Sequence, residues 1–156
     1  MKKIAIGGVT GGLILFVWSF IAHLPPVGTA GEHLLASKPL LREMSASMHE
    51  RGVYVLLPNA VVAYNPHPAG FPTWILLEFL GSLLGALLGA FIATNLTGGY
   101  WRRVFSIAAI GIIAVIVVDG GYWNWFGFPT TYFLAQFVDH GIGWLLTGMA
   151  LARICR

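Results

Sequence analysis

Four segments of this sequence are apolar over a length that matches the thickness of a membrane. They cover residues 4–24, 73–96, 104–122 and 131–153, and a helix needs about 20 mainly apolar residues to cross the hydrocarbon layer. The chain is 57% hydrophobic and only 10% charged, whereas soluble domains carry about 25% charged residues. We therefore predict an all-α membrane protein with four transmembrane helices, folded as a single domain over residues 1–156.

Basic residues at the ends of these segments predict the orientation. In a four-span chain, six of them fall on the same side of the membrane, and the positive-inside rule assigns that side to the cytoplasm. We expect both termini to be cytoplasmic in a bacterial inner membrane. Charges at span ends also argue against a nucleic-acid surface. The six residues are Lys2, Lys3, Arg102, Arg103, Arg153 and Arg156.

The first apolar segment has the outline of a signal peptide, because two lysines precede it and small residues follow it. It is long enough to span the membrane, so we expect it to be retained. Cys155, the single cysteine of the sequence, falls on the cytoplasmic side, where thiols stay reduced. The chain therefore has neither a disulfide nor a CxxC motif.

Residues 25–72 form a periplasmic loop of roughly 50 residues between the first two spans. A short amphipathic helix is predicted from Leu40 to Arg51, with an apolar stripe that includes Met44 and Met48. Residues 53–57 suit an extended segment, and the proline-rich residues 59–72 suit an irregular return to the bilayer. This segment is too small to fold alone, so we expect it to rest on the helices or on a partner.

Small residues recur at four-residue spacing within three of the spans. Such rows let helix backbones approach closely in lipid, so they predict helix–helix contact and carry no information about catalysis. The glycines that we expect at helix contacts are Gly8, Gly12, Gly81, Gly85, Gly89 and Gly143.

Ionisable residues sit at the outer ends of these rows. Glu78 lies three residues before Gly81, and Asp139 lies four residues before Gly143, so each shares a helical face with its glycine. An ionisable group in hydrocarbon costs at least a few kcal/mol, so each has a use in packing or in chemistry. We predict one outer-leaflet polar cluster. Its members are His23, Glu78, Asp119, Gln136, Asp139 and His140.

Three uses of this cluster stay open. Its members can pair with one another and fix how the helices meet. They can hold a metal ion, although no HxxxH or ExxH pair supplies two ligands from one helical face. They can also carry protons or ions, but the inner halves of the spans lack a continuing polar row.

A short motif occurs twice in the chain. Gly-Phe-Pro-Thr precedes the second span at residues 70–73 and the fourth span at residues 127–130. The echo predicts that the two inward-going helices begin alike, and it suits a duplicated pair of helical hairpins.

Aromatic residues crowd the link between the third and fourth spans. An aromatic belt is expected where a helix leaves the membrane, because tryptophan and tyrosine have an apolar body and a polar edge. A surface for a partner protein, a lipid or a quinone is the alternative. The residues are Tyr122, Trp123, Trp125, Phe126 and Phe128.

The run from Asp119 to Tyr132, followed by Gln136, Asp139 and Gly143-Trp144, resembles a pattern in small bacterial membrane proteins of unknown function. The resemblance covers mainly the last forty residues. It implies a four-span bacterial membrane protein and transfers no activity and no cofactor.

The sequence lacks a Gly-x-Ser-x-Gly elbow and a phosphate-binding loop, so we do not expect an enzyme. Our hypothesis is a non-catalytic accessory or structural subunit of a bacterial membrane complex, which acts through helix packing and its aromatic outer surface. Its expected partners are lipid and other membrane subunits. The alternative is a small metal- or quinone-binding redox protein that uses the polar cluster. No metal or other cofactor is assigned.

Overall fold

The structure is a computed structural model that describes residues 1–32, 37–56 and 60–156. Long helices form most of it, and a pair of short strands lies between the first two long helices. One π turn, Val115–Asp119, joins α4 to α5. The elements in chain order are α1 Lys2–Ala22, α2 Lys38–Ser47, β1 Gly52–Leu56, β2 Ala60–Tyr64, α3 Phe71–Asn95, α4 Tyr100–Ala114, α5 Gly120–Phe126 and α6 Thr130–Ile154.

Three helical stretches in the described residues are long and apolar enough to cross a membrane. They are α1, α3 and the continuous stretch Tyr100–Phe126. The prediction of a mainly helical protein with membrane-spanning helices is thus confirmed for three helical stretches. α6 has 25 residues, as α3 does, but it is not among the three because Gln136, Asp139 and His140 interrupt its apolar sequence.

The third apolar helix is longer than its predicted range of 104–122. It covers 27 residues, which is about 40 Å at 1.5 Å per residue, and the hydrocarbon layer is about 30 Å thick. Gly127 ends it in the left-handed conformation with φ 69°, where a glycine has no steric penalty. Four of the five aromatic residues expected in the link therefore lie on the last turns of this helix.

α1 lies between α3 and α6, and α6 in turn packs against α4. Glycines bring α1 close to α3, since a Cβ on Gly12 would lie 2.8 Å from the Cα of Leu83. Gly11 faces α6, where a Cβ would lie 3.0 Å from Thr147 Cγ2. On the α3 side of the contact between α1 and α3 lie Ala86 and Ala90, which are both fully buried.

The glycine row of α3 changes its surroundings along the helix. Gly89 packs against Trp144 of α6, whose ring lies 3.2 Å from an added Cβ, and Gly85 meets the same ring at 3.7 Å. Gly81 has nothing within 4 Å. The row therefore faces a helix contact at its inner end and an opening at its outer end.

The contact between α4 and α6 depends on glycines that the sequence analysis did not single out. A Cβ on Gly148 would lie 2.8 Å from the Val104 carbonyl oxygen, and one on Gly111 would lie 2.6 Å from the carbonyl oxygen of His140. Gly148 lies four residues before the buried Ala152, which is a small-xxx-small pair in the sequence.

Arg103 joins several chain segments at the basic end of the bundle. Its Nη1 donates to the carbonyl oxygens of Ala93, at 3.2 Å, and Cys155, at 2.6 Å. Lys3 Nζ donates to the carbonyl oxygen of Arg156. These bonds satisfy carbonyls that helix ends leave unpaired. Burial raises the pKa of the Cys155 thiol, against the opposite influence of Arg103 and Lys3.

The outer segment differs from its prediction in two respects. The amphipathic helix ends at Ser47 and not at residue 51, and Ser47 Oγ donates back to the Glu43 carbonyl oxygen, a bond that weakens helix ends. Residues 60–64, predicted as irregular, form β2, which pairs antiparallel with β1. The prolines lie outside this strand, and its valines favour extended backbone. Residue 57 of the predicted extended segment lies outside the described residues.

Replacing Gly12 with alanine tests the contact between α1 and α3. The added methyl group meets the backbone of Leu83, which a side-chain rotation does not relieve, so we expect a loss of about 1–3 kcal/mol in the free energy of unfolding. Denaturation in mild detergent measures it. Gly81→Ala is the matched control: it adds a methyl group in open space, and its stability should stay equal or rise by up to about 1 kcal/mol. Equal losses in both variants would contradict this packing.

Candidate functional site

One cavity of about 490 Å³ opens at the end of the bundle opposite Arg103. It lies between α1, α3, α6 and the π turn. The structure places all six residues of the predicted polar cluster on its wall: His23, Glu78, Asp119, Gln136, Asp139 and His140.

α1 contributes a histidine and a serine to this wall, one turn apart. Ser19 Oγ donates a hydrogen bond of 2.9 Å to Glu78 Oε1 and thereby joins α1 to α3. His23 Nδ1 lies 2.8 Å from the Ser19 carbonyl oxygen. A carbonyl only accepts, so Nδ1 is the donor and Nε2 is the ring nitrogen left for another group.

α6 is attached to α1 at the cavity by Trp18. Its Nε1 donates to the backbone carbonyl oxygen of Asp139 at 2.8 Å. Gly143 makes room for this ring, because a Cβ at that position would lie 2.8 Å from Trp18 Cδ1. The bond leaves the Asp139 carboxylate to face the cavity.

The π turn delivers Asp119 to the cavity. A π turn accommodates an extra residue and so shifts the side chains beyond it around the helix axis. Asp119 is 6% exposed, and it lines the cavity together with Tyr132 and His140. A buried carboxylate thus lies well inside the outer end of the long third helix.

The charge of the cavity wall is strongly biased. Glu32 joins the three predicted carboxylates on it, so four of the six acidic residues of the chain line this cavity. Within the described parts of the chain no lysine or arginine does so. His140 adds an unsatisfied polar atom, because its buried Nδ1 has no hydrogen-bond partner among the described residues.

The polar surface ends at the middle of the bundle. Trp144 and Leu15 border the cavity at its inner end. Beyond them lies the apolar core, formed by Ala90, Ala93, Ile107, Leu151 and Cys155. The described residues therefore form a site open at one end and no polar path through the bundle.

Direct pairing of the cluster members is one of the three uses that the sequence leaves open. Cross-helix hydrogen bonds at the cavity run from Ser19 to Glu78 and from Trp18 to the Asp139 backbone. The other cluster side chains surround an open volume. Helix contact here is made by the glycine rows, and the polar groups line the space that the diverging helices leave.

The described residues do not assemble a metal-ligand set. In residues 1–32, 37–56 and 60–156, no three side chains of His, Cys, Asp or Glu lie close enough together to hold a metal ion. Carboxylates and imidazoles are instead distributed around a volume large enough for a molecule of several heavy atoms.

A second, apolar groove of about 360 Å³ adjoins the cavity between α1 and α3. Ser19, His23 and Glu78 line both spaces. The rest of the groove is apolar: Phe16, Phe20, Phe71, Trp74 and Ile75.

The aromatic residues Tyr122, Trp123, Trp125 and Phe126 at the end of the third helix are all exposed, although some of their rings stack on neighbours. Tyr122 stacks with Phe128 at 5.4 Å between ring centroids, and Trp123 stacks with Phe133 at 5.7 Å. Trp123 Nε1 also donates to Thr130 Oγ1 at 3.2 Å. Phe126 is 39% exposed, whereas Trp125 is 81% exposed. Trp125 is therefore the member most available to another molecule.

No protein-family model, no curated protein and no solved structure matches this chain. The resemblance to small bacterial membrane proteins remains a prediction.

Sequence reasoning missed the aromatic walls of the cavity. These walls are Trp18, Tyr132 and Trp144. Each lies in an apolar segment, where an aromatic side chain does not by itself indicate a site. A usable signal exists for two of them: Trp18 and Trp144 fall deep within their segments, away from the membrane interface where tryptophan normally gathers.

The Trp18–Gly143 contact makes a testable prediction. Gly143→Ala displaces the indole and breaks its bond to Asp139, so we expect a loss of about 1–3 kcal/mol in unfolding free energy. In a Trp18→Phe background the same substitution should cost markedly less, and a double-mutant cycle measures this coupling. Gly141→Ala is the control, because its Cβ meets only Ile112 Cδ1 at an ordinary 3.5 Å. Additive losses would show that the two residues do not interact.

Proposed function

We propose that this chain is a non-catalytic accessory subunit of a bacterial inner-membrane complex. It crosses the membrane four times, with α6 as the fourth span and both termini in the cytoplasm. It docks on a partner protein through its periplasmic segment and the aromatic end of its third helix.

The position of α6 supports a fourth span. It packs between α1 and α4, begins beside the cavity and ends at Arg103, so it covers the same distance as its neighbours. Its polar residues Gln136, Asp139 and His140 line the cavity. They therefore lower the hydropathy of the helix without facing lipid.

The basic end supports the orientation. Lys3, Arg103 and Arg156 meet there, and the cavity end carries the acidic residues. This asymmetry agrees with the positive-inside rule.

The observation that carries the docking proposal is that one face of the β-hairpin is apolar and exposed. Val53 and Val55 on one of its faces are 67% and 62% exposed, and they pair with Ala63 and Val61. Within the described residues the hairpin makes no extensive contact with the helices. A two-stranded hairpin is marginally stable alone and needs a further strand or an apolar surface. A partner protein that covers the valine face supplies it.

The aromatic end of the third helix is a second exposed surface. The third helix is longer than the hydrocarbon layer is thick, so its last turns lie in the headgroup region or beyond. Trp125 projects there with 81% of its surface exposed. Exposed tryptophans of this kind are frequent anchors in protein interfaces.

The arrangement of Ser19, His23 and Glu78 supports a non-catalytic role. A catalytic serine donates its proton to a histidine base. Here the Ser19 hydroxyl donates to Glu78, and His23 Nδ1 donates to the Ser19 carbonyl oxygen at 2.8 Å. His23 Nδ1 also lies 3.5 Å from Ser19 Oγ, but a nitrogen that carries a proton cannot accept the proton of the serine. The serine is therefore not activated as a nucleophile.

Fusions to alkaline phosphatase, which is active only outside the cytoplasm, test the four-span topology. We expect active fusions after His67 and Gly127, and inactive ones after Gly98 and Arg156. An active fusion after Arg156 would show that α6 does not cross.

The docking proposal predicts a stable heterocomplex. Extraction in mild detergent followed by native mass measurement should give the chain bound to a partner in a fixed ratio. Val53→Thr combined with Val55→Thr keeps β-strand propensity but makes the face polar, and the partner should be lost.

Val62→Thr is the matched control for that experiment, because Val62 pairs with Tyr54 on the opposite face. It should retain the partner. A wild-type chain extracted alone, or equal loss of the partner in both variants, would contradict the proposal.

A further inference from the structure

The cavity and the adjoining groove together form a site with two different halves. The cavity is acidic and polar, the groove is apolar and aromatic, and they share Ser19, His23 and Glu78. We propose that this composite site binds an amphiphilic organic cation, with its ammonium head in the cavity and its hydrocarbon chain in the groove.

The uncompensated charge of the cavity specifies the head group. Three carboxylates from three different elements, Glu78, Asp119 and Asp139, face one volume, and no described lysine or arginine joins them. Asp119 is 6% exposed, and buried carboxylates are normally paired with a cation. An ammonium group in this volume would supply a positive charge that no described lysine or arginine provides.

The shape and walls of the cavity favour an organic cation over a bare metal ion. The acidic and imidazole groups do not converge to metal-ligand distances among the described residues. A volume of about 490 Å³ lies within the usual range of small-molecule sites. Trp18, Tyr132 and Trp144 supply aromatic faces, which attract ammonium groups through their negative π surface.

The neighbouring groove specifies the rest of the ligand. Phe20 and Trp74 line it and are 55% and 53% exposed on the outside of the bundle. In a membrane this surface meets the acyl chains of the outer leaflet. A hydrocarbon chain can therefore occupy the groove while its head passes the Ser19–Glu78 hydrogen bond into the cavity.

The site lacks a group for a phosphate. No described lysine or arginine lines the cavity or the groove, so the phosphate of an amine-bearing phospholipid would find carboxylates instead of cations. The ammonium chemistry is shared by such a lipid and by a free long-chain amine, and the absence of a basic partner favours the free amine. The placement of the groove in the outer leaflet rests on the proposed topology, but the inference is independent of the docking proposal.

Calorimetric titration of the purified full chain in an uncharged maltoside detergent tests the inference. The probes are octyltrimethylammonium and octylsulfonate, which share a chain and carry opposite charges. We expect saturable binding of the cation and binding of the sulfonate that is at least about tenfold weaker. Tetramethylammonium should also bind at least about tenfold more weakly, because it leaves the groove empty.

Variants locate the binding. Asp139→Asn removes one charge at constant shape and should weaken cation binding at least about tenfold. Glu78→Gln can still accept the bond from Ser19, so it provides a second charge-neutral variant that preserves that helix contact. Glu43→Gln removes an acidic residue of α2 that does not line the cavity, and binding should be unchanged. Phe20→Ala should abolish the advantage of the octyl chain.

Competition identifies the source of the head group. Displacement of the probe by phosphatidylethanolamine assigns the site to a lipid head, and failure to displace it assigns the site to a free amphiphilic amine. Either result supports an ammonium site. Equal affinity for octylsulfonate, equal affinity for a neutral quinone of similar chain length, displacement by Zn²⁺ at stoichiometric amounts, or no saturable binding would overturn the inference.

Discussion

The close approach of α1 to its two neighbours is the contact on which the rest of the structure depends. Lipid offers helices no hydrophobic drive to associate, so tight packing between backbones must hold them. Gly12 brings α1 against the Leu83 backbone, and Gly11 brings it against Thr147 of α6. Trp144 then fills the wider space between α3 and α6. The helices diverge beyond that ring, and the cavity is the result.

The separation of the bundle into a tightly packed end and a cavity end explains how the chain carries carboxylates within apolar helices. A charged group in hydrocarbon is costly, but the cost falls where the group faces a polar space. Glu78 receives a hydrogen bond from Ser19, and Asp119 lines the same cavity as Tyr132 and His140. The apolar core around Ile107 and Leu151 closes the inner half. The polar groups thus serve one end of the bundle, which fits a binding site better than a pathway.

Periodicity in the sequence predicted much of this arrangement and misjudged other parts. Glu78 and Gly81 share a helical face, so the spacing alone placed the carboxylate beyond the small-residue row. The π turn has no comparable signal, because one extra residue in a helical turn depends on packing around Asp119. The strand at residues 60–64 was missed because flanking prolines masked a short valine-rich run. Tertiary packing decides the π turn, whereas the strand follows from the β propensity of its valines and its pairing with β1.

The bundle holds an open polar cavity at one end, and the apolar core seals it towards the end that carries Arg103. Single cysteines one turn apart on α3, in a Cys155→Ala background, test it most directly. Ser82 lines the cavity and Ala86 is fully buried. Trimethylammonioethyl methanethiosulfonate, which does not cross membranes, should modify Ser82→Cys from the periplasmic side and leave Ala86→Cys unmodified from either side. An unreactive Ser82→Cys, or an Ala86→Cys that reacts from the cytoplasm, would contradict the account.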